Sequence, residues 1–166
     1  MNSDWAALLD LLLAPLSDED GWQVRRAFVQ ALETLLLDSG SLPYAPEQLR
    51  WARADALMAA LTAHAEDQAI PAWWLVLQVD WKAADEVEWQ AQLIAKTQGL
   101  TKPYEWQANP GDGVPEGLAA FAAWLEPQGF CYRPWLRDED AYAGFVVPHA
   151  LAEAVEVVAL RVGLDG

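Results

Sequence analysis

The sequence predicts an α+β fold in which three N-terminal helices precede a small, mostly antiparallel sheet of three to four strands covered by helices. Apolar residues recur at helical spacing through about residue 66. Bulky and β-branched residues then concentrate in short segments that alternate with further helical patterns. The 166 residues contain no long linker and fit one domain, with a helical part over about 1–66 and an α/β part over about 70–164.

Apolar stripes and end signals predict the three N-terminal helices. The first ends before Pro15, and the second runs from about Asp18 to Leu37, where its acidic start suits the positive end of the helix dipole. Pro46 opens the third helix, since the amide hydrogen that proline lacks has no partner at a first helical position. This helix is expected to reach about Ala65, with Ala54, Leu57, Met58 and Leu61 facing inward.

The second half begins with a predicted buried strand over 73–81, in which Trp81 shares a face with Leu75, Leu77 and Val79. A helix follows from Asp85 to Gly99, with Asp85 and Glu88 in the positions of a capping box. Residues 102–107 read as a short strand, and Pro115 starts another helix.

A hairpin and a helix are predicted to complete the fold. The strands of the hairpin cover 130–136 and 141–147, and the turn covers 137–140. Pro134 places the first of these strands at a sheet edge or at a bulge. The last helix runs from about His149 to Val162, because apolar residues repeat there at helical spacing and a glycine follows.

Composition constrains the partners and the compartment. The chain has 25 acidic against 10 basic residues, a formal charge of −15, so it repels nucleic acid and anionic lipid, and we expect a basic or neutral protein partner. With 54% hydrophobic residues and ten tryptophans it is too apolar to be disordered. The single cysteine, the absence of a signal-peptide pattern and the absence of a membrane-length apolar run predict a cytoplasmic protein.

No motif for catalysis, cofactor binding or metal binding stands out. Cys131 is interpreted as a small buried apolar residue. His64 and His149 lack a second ligand at zinc spacing, and both are interpreted as structural. No serine sits in a nucleophile elbow and no glycine-rich phosphate loop occurs. The sequence therefore predicts no catalytic residue, no cofactor and no metal.

Two acidic segments are the candidate binding residues. Asp80, Trp81 and Lys82 end the predicted strand, where they either hold a partner's arginine or act structurally, with Asp80 as a cap and Trp81 in the core. Most tryptophans are expected in the core, with two or three partly exposed. The turn carboxylates either bind a cation or are solvated. The second segment consists of Asp138, Glu139, Asp140 and Tyr142.

Five short motifs follow one another between about residues 52 and 164. They are Val79-Asp80-Trp81-Lys82, Gly129-Phe130, Asp140-Ala141-Tyr142, Val146-Val147-Pro148 and Val162-Gly163-Leu164. In this order they resemble a bacterial family of uncharacterised domains with an acidic-Trp-Lys strand end, an Asp-x-Tyr strand and a closing helix. The resemblance implies the fold of the second half and transfers no catalytic residue; by association, small acidic bacterial proteins of this kind often serve as immunity or accessory proteins.

Three hypotheses about function follow. The leading one is a non-enzymatic cytosolic module that captures a basic partner with an acidic, tryptophan-bearing face, in its sharpest form a toxin-neutralising immunity protein. The second is an enzyme of unknown type, perhaps metal-assisted, built on Asp80 and the Asp138–Asp140 turn. The third is a nucleic-acid mimic, which would need carboxylates at phosphate-like spacing.

Overall fold

The computed structural model describes residues 3–38, 44–62, 73–138 and 140–164. The elements agree with an α+β fold in which three helices precede a sheet. In chain order they are α1 Ser3–Leu12, α2 Asp18–Asp38, α3 Pro46–Leu61, β1 Val76–Asp80, α4 Asp85–Thr97, α5 Val114–Leu125, a short 3-10 turn Glu126–Gln128, β2 Phe130–Asp138, β3 Ala141–Pro148 and α6 His149–Val162.

The three strands form one antiparallel sheet in the order β1-β3-β2. Val76 of β1 pairs with Phe145 of β3, and Arg133 of β2 pairs with Phe145 from the other side. The central strand β3 is buried continuously over residues 143–147. Both faces of the sheet are therefore covered, which is why β3 reads as an unbroken apolar run with no polar alternation.

A large core fills the space between one sheet face and the helices α1, α2, α3 and α6. Phe28 of α2 stacks on Trp5 of α1, and Trp135 of β2 stacks on Phe145 of β3. Burying an aromatic side chain of this size contributes about 2–3 kcal/mol. The N-terminal helices thus share a core with the sheet and with the C-terminal helix.

A second core lies on the opposite sheet face, under α4 and α5. Leu77, Val79 and Val146 face it from the sheet, and Phe121 of α5 and Ile94 of α4 close it. Val87, Ala91 and Ile94, which follow one another at helical spacing along α4, are all fully buried.

The predicted strand over 73–81 is shortened to β1. Residues 73–75 bond elsewhere: the indole N–H of Trp73 donates to the Ala60 carbonyl, the Leu75 amide donates to the Leu61 carbonyl, and the Trp74 amide donates to the Thr97 hydroxyl. Their donors are therefore used by the ends of α3 and α4, and the chain enters the sheet only at Val76.

Two smaller expectations are wrong. Residues 102–107 form no strand; Tyr104 is buried in the second core, and its carbonyl accepts a bond from the Gln92 side chain. Asp85 does not cap α4, because Ala84 before it already has helical backbone angles and Asp85 lies within the first turn.

Other expectations are confirmed. The last helix has the predicted bounds, and Pro134 lies on an edge strand. α2 is capped by Ser17, whose hydroxyl accepts the Asp20 amide. Acidic residues occupy the first turns of α1 to α5, where they stabilise the positive helix ends. Among the described helices, none combines the length and the apolar character needed to cross a membrane.

Candidate binding surface

Five of the predicted site residues meet where β1 leaves the sheet. The amide of Trp81 donates to the carbonyl of Asp140 at 3.1 Å, which joins the end of β1 to the hairpin turn. Val79 pairs with Tyr142, and Asp80 pairs with Ala141. We define the acidic corner as Asp80, Trp81, Lys82, Asp140 and Tyr142; residues 60 positions apart in the chain are brought together here by strand pairing.

Asp80 ends the strand and orients the residues that follow. Its carboxylate accepts the amide of Lys82 at 2.9 Å, and its carbonyl accepts the amide of Ala83 at 2.9 Å. This is the turn that aspartate side chains stabilise through their own backbone. The predicted capping role of Asp80 is therefore present, while its side chain stays on the surface.

Trp81 lies on the surface, so the expectation that it fills the core is wrong. Trp81 is in the turn that follows β1 and does not belong to the second core that buries Val79. It is 49% exposed, and Tyr142, the strand partner of Val79, is 37% exposed. The ammonium group of Lys82 sits 4.5 Å from the centre of the Trp81 ring, a cation–π contact.

Further carboxylates follow the corner along the chain. Asp85, Glu86 and Glu88 form the first turn of α4, three residues beyond Lys82. One Glu86 oxygen lies 3.3 Å from the Gln90 amide nitrogen, whereas Asp85 is exposed. The surface around Trp81 thus combines accessible aromatic rings with a dense negative charge.

The hairpin turn meets Asp80 through its backbone. Asp138 pairs with Ala141, which also pairs with Asp80, but the Asp138 side chain and all of Glu139 lie outside the described part of the structure. In the residues that are described, no three His, Cys, Asp or Glu side chains are grouped as metal ligands. His64 also lies outside them.

More tryptophans are exposed than the sequence analysis expected. Only Trp5, Trp73 and Trp135 are fully buried. Those with more than a third of their surface exposed are Trp22, Trp51, Trp81 and Trp89. Cations of the chain itself cover three of these rings: Arg26 over Trp22 at 5.6 Å, Arg50 over Trp51 at 5.0 Å and Lys82 over Trp81 at 4.5 Å. Trp89 instead packs edge-on against Trp74.

A cleft of about 460 Å³ lies at the other edge of the sheet, at a place that the sequence did not predict. We call it the β2 cleft; its polar lining comes from Glu126, Cys131, Tyr132, Arg133 and His149. Cys131 and Arg133 alternate on a predicted strand and therefore share one face. That alternation was the available signal, but the arrival of Glu126 and His149 at the same place depends on tertiary packing.

The charges in the β2 cleft are unevenly paired. His149 Nε2 lies 3.2 Å from a Glu126 carboxylate oxygen. The Cys131 thiol lies 3.7 Å from the Val147 carbonyl, and burial raises its pKa, an effect that the neighbouring Arg133 partly opposes. Cys131 is only partly buried, which differs from the small buried apolar residue expected from the sequence.

Comparison with known proteins identifies a family. The family model described as Domain of unknown function (DUF6630) matches residues 4–165. This agrees with the resemblance to an uncharacterised domain family and extends it to the three N-terminal helices. No curated protein matches the chain, and no solved structure matches it.

Proposed function

The chain belongs to the family described as Domain of unknown function (DUF6630), and we propose that it is a non-enzymatic binding module that captures a basic protein partner at the acidic corner. The observation that carries the proposal is an exposed Trp81 that directly follows the exposed Asp80 and whose amide is bonded to the carbonyl of the exposed Asp140. Rigid exposed aromatic side chains are the usual energetic centres of protein interfaces.

Trp81 has enough exposed surface to act as an anchor. About half of the side chain is accessible, on the order of 100 Å² of the area an indole can bury. Covering that area with a partner would contribute about 2–3 kcal/mol. Because the backbone of Trp81 and the carboxylate of Asp80 are held by hydrogen bonds, little of their conformational entropy is lost on binding.

The contact between Lys82 and Trp81 indicates which partner residue fits. An arginine guanidinium could replace the Lys82 ammonium over the ring and at the same time pair with Asp80 or Asp140, since its planar fork serves both contacts. Lysine offers a single point charge and no planar face. The preferred partner therefore presents an arginine, and removing Lys82 should strengthen its binding.

The first test separates a local site from general attraction to a chain of charge −15. Asp80→Asn with Asp140→Asn removes two charges at the corner, and Glu153→Gln with Glu156→Gln removes two exposed charges on α6. Binding of an oligoarginine peptide is measured by calorimetry between about 50 and 500 mM salt. We expect about a tenfold loss for the corner variant, a few-fold loss for the α6 variant, and weaker binding of oligolysine of the same length.

A second test uses the aromatic side chain. Trp81→Ala is compared with Trp22→Ala, because both tryptophans are exposed and both carry a stacked cation. Only Trp81→Ala should weaken oligoarginine binding, and Lys82→Ala should strengthen it. The proposal would be refuted if the corner variant and the α6 variant lost the same affinity for oligoarginine and the two tryptophan variants did not differ. Net charge alone would then attract the peptide.

Neutralisation of a basic toxin would be a specific form of this function. A photoreactive amino acid at position 142, compared with one at position 22, would capture such a partner in the host cell through the corner. Coexpression of the captured protein with the wild-type chain and with Asp80→Asn plus Asp140→Asn then measures protection. Capture of no basic protein from position 142, even at low salt, argues against a protein partner at this surface.

The metal-assisted enzyme remains the second candidate because Asp80 does meet the hairpin turn through its pairing with Ala141. This hypothesis predicts that Mg²⁺, Mn²⁺ or Ca²⁺ binds the purified chain and that Asp80→Asn weakens the binding. Calorimetric titration of the three cations tests it directly. Absence of saturable binding in all three titrations would remove this candidate.

A further inference from the structure

The β2 cleft lies along the outer edge of the sheet. β2 and β1 are opposite edges of the three strands, so this cleft is remote from the acidic corner. Ala122 of α5 lines one wall and Ala152 of α6 the other, with β2 between them. A volume of about 460 Å³ falls in the range of natural small-molecule sites.

Arg133 is the unusual group in this cleft. Its Nε atom is buried and has no hydrogen-bond partner, whereas the side chain as a whole is partly exposed and interacts with the Cys131 thiol. Neither the ion pair of Arg25 with Asp10 nor that of His149 with Glu126 involves it. Leaving the buried N–H of a charged group without an acceptor is costly, and in a chain with 25 acidic residues an arginine without a carboxylate partner among the described residues is unexpected.

The other cleft residues are compatible with a negative guest. Glu126, the carboxylate that lines the cleft, contacts His149 and forms no ion pair with Arg133. His149 is the first residue of α6, and a helix start is positively polarised. The alanines and Cys131 provide short apolar walls.

We propose that the β2 cleft binds a small organic anion, a carboxylate or a phosphate ester with a short apolar body, through the guanidinium of Arg133. The guanidinium fork matches the two oxygens of a carboxylate or phosphate. The apolar body of the ligand lies between Ala122 and Ala152. The proposal is independent of the acidic corner, since neither site contains a residue of the other.

Cys131 provides a built-in reporter, because it is the only cysteine of the chain and lines the cleft with Arg133. Iodoacetate and iodoacetamide alkylate the same thiolate: sulfur bonds to the methylene carbon, iodide leaves with the bonding electrons, and the thiol proton goes to solvent. They differ in that iodoacetate carries a carboxylate. An overall charge of −15 should disfavour iodoacetate, whereas binding at Arg133 should favour it.

The measured quantity is the ratio of the iodoacetate rate to the iodoacetamide rate. Any change in the fraction of thiolate affects both rates and cancels in the ratio. Arg133→Gln should lower this ratio about tenfold, the value of one lost charged hydrogen bond. Arg161→Gln removes an exposed cation from α6 and should leave the ratio nearly unchanged. Equal ratios in the wild-type chain and Arg133→Gln would overturn the proposal.

Equilibrium binding supplies the second readout. Acetate, butyrate and inorganic phosphate are titrated into the chain and followed by amide NMR shifts. If butyrate binds more tightly than acetate, the ligand is a carboxylate with an apolar body. If phosphate binds more tightly than both, the ligand is a phosphate ester. Arg133→Gln should weaken binding at least about tenfold. Ala122→Leu should block it by filling the cleft while retaining the charge.

Thermal unfolding of each variant shows whether it is folded, and Ala122→Leu keeps the proposal testable if Arg133→Gln is not. Absence of binding for all three anions in the wild-type chain would overturn the proposal. So would binding that neither substitution affects. The corner variant Asp80→Asn with Asp140→Asn should bind the anions like the wild-type chain, so failure at the acidic corner and failure here are distinguishable.

Discussion

Replacing Gln90 by leucine tests what protects the free edge of β1. Gln90 is 2% exposed, and its side chain accepts the Gln78 amide at 2.9 Å and donates to the Gln78 carbonyl at 2.7 Å. Both backbone groups of Gln78 therefore point away from β3, and one side chain of α4 occupies the position of a neighbouring strand. Edge strands commonly need such protection against pairing with another chain.

The expected cost follows from these two bonds. Each contributes about 1 kcal/mol net, and leucine keeps the volume and apolar packing of the site. Gln78 itself is exposed, so water partly replaces the lost partners. We therefore expect Gln90→Leu to lower the free energy of unfolding by about 2–3 kcal/mol, a large part of the 5–15 kcal/mol typical of a domain.

Urea denaturation measures this loss as a decrease of about 1 M in the midpoint. The control is Gln92→Leu in the same helix: Gln92 is exposed and donates to the Tyr104 carbonyl, so its loss should cost less than about 1 kcal/mol. Light scattering should also show association of Gln90→Leu, because the backbone groups of Gln78 at the sheet edge are left without their partners. Stability within about 0.5 kcal/mol of wild type, without association, would refute the protective role of Gln90.

Two further predictions concern the sheet and the second core. A side chain at Gly144 would collide with the Tyr132 ring that crosses it, so Gly144→Ala should lower the free energy of unfolding by about 2 kcal/mol or more. In a double-mutant cycle, adding Tyr132→Leu should recover much of this loss. As a control, Gly21→Ala on α2, where the added methyl group meets only a flexible side chain, should change the stability little or increase it. Burial raises the pKa of Tyr104 to about 12, and its hydroxyl donates to the Gly117 carbonyl. Because the pKa of Tyr104 in the folded chain lies above its unfolded value of 10.0, the neutral phenol stabilises the fold fully below pH 10, and this stabilisation declines as the pH rises toward 12. Urea denaturation between pH 10 and 12 should therefore show a smaller decline in stability for Tyr104→Phe than for the wild-type chain. Identical declines would refute this role of Tyr104.

The acidic corner illustrates how far sequence patterns reach. Asp80, Trp81 and Lys82 were recognisable as a polar end to an apolar strand, and the hairpin turn was recognisable from its charges. Their proximity follows from the pairing of β1 with β3. Strand order is decided by long-range packing, so alternation along one segment cannot show which strand will lie beside it.

The β2 cleft was harder to foresee. Cys131 and Arg133 share a strand face by alternation, but Glu126 and His149 reach them only because α5 and α6 pack on opposite faces at the same edge. Taken one at a time, these residues have ordinary structural roles, such as a histidine at a helix start. The sequence therefore gave no reason to group them in one site.

The sequence by itself determined the type and order of most elements, because helical and strand periodicities are local properties of the chain. It also determined the net negative charge, because this charge follows from the amino-acid composition and does not depend on the fold. Tertiary structure alone decided that β1 begins at Val76, that Trp81 faces solvent and that Arg133 has no carboxylate partner among the described residues. Exposure and pairing depend on which distant segments fill the same space, and that competition is settled only when the whole core packs.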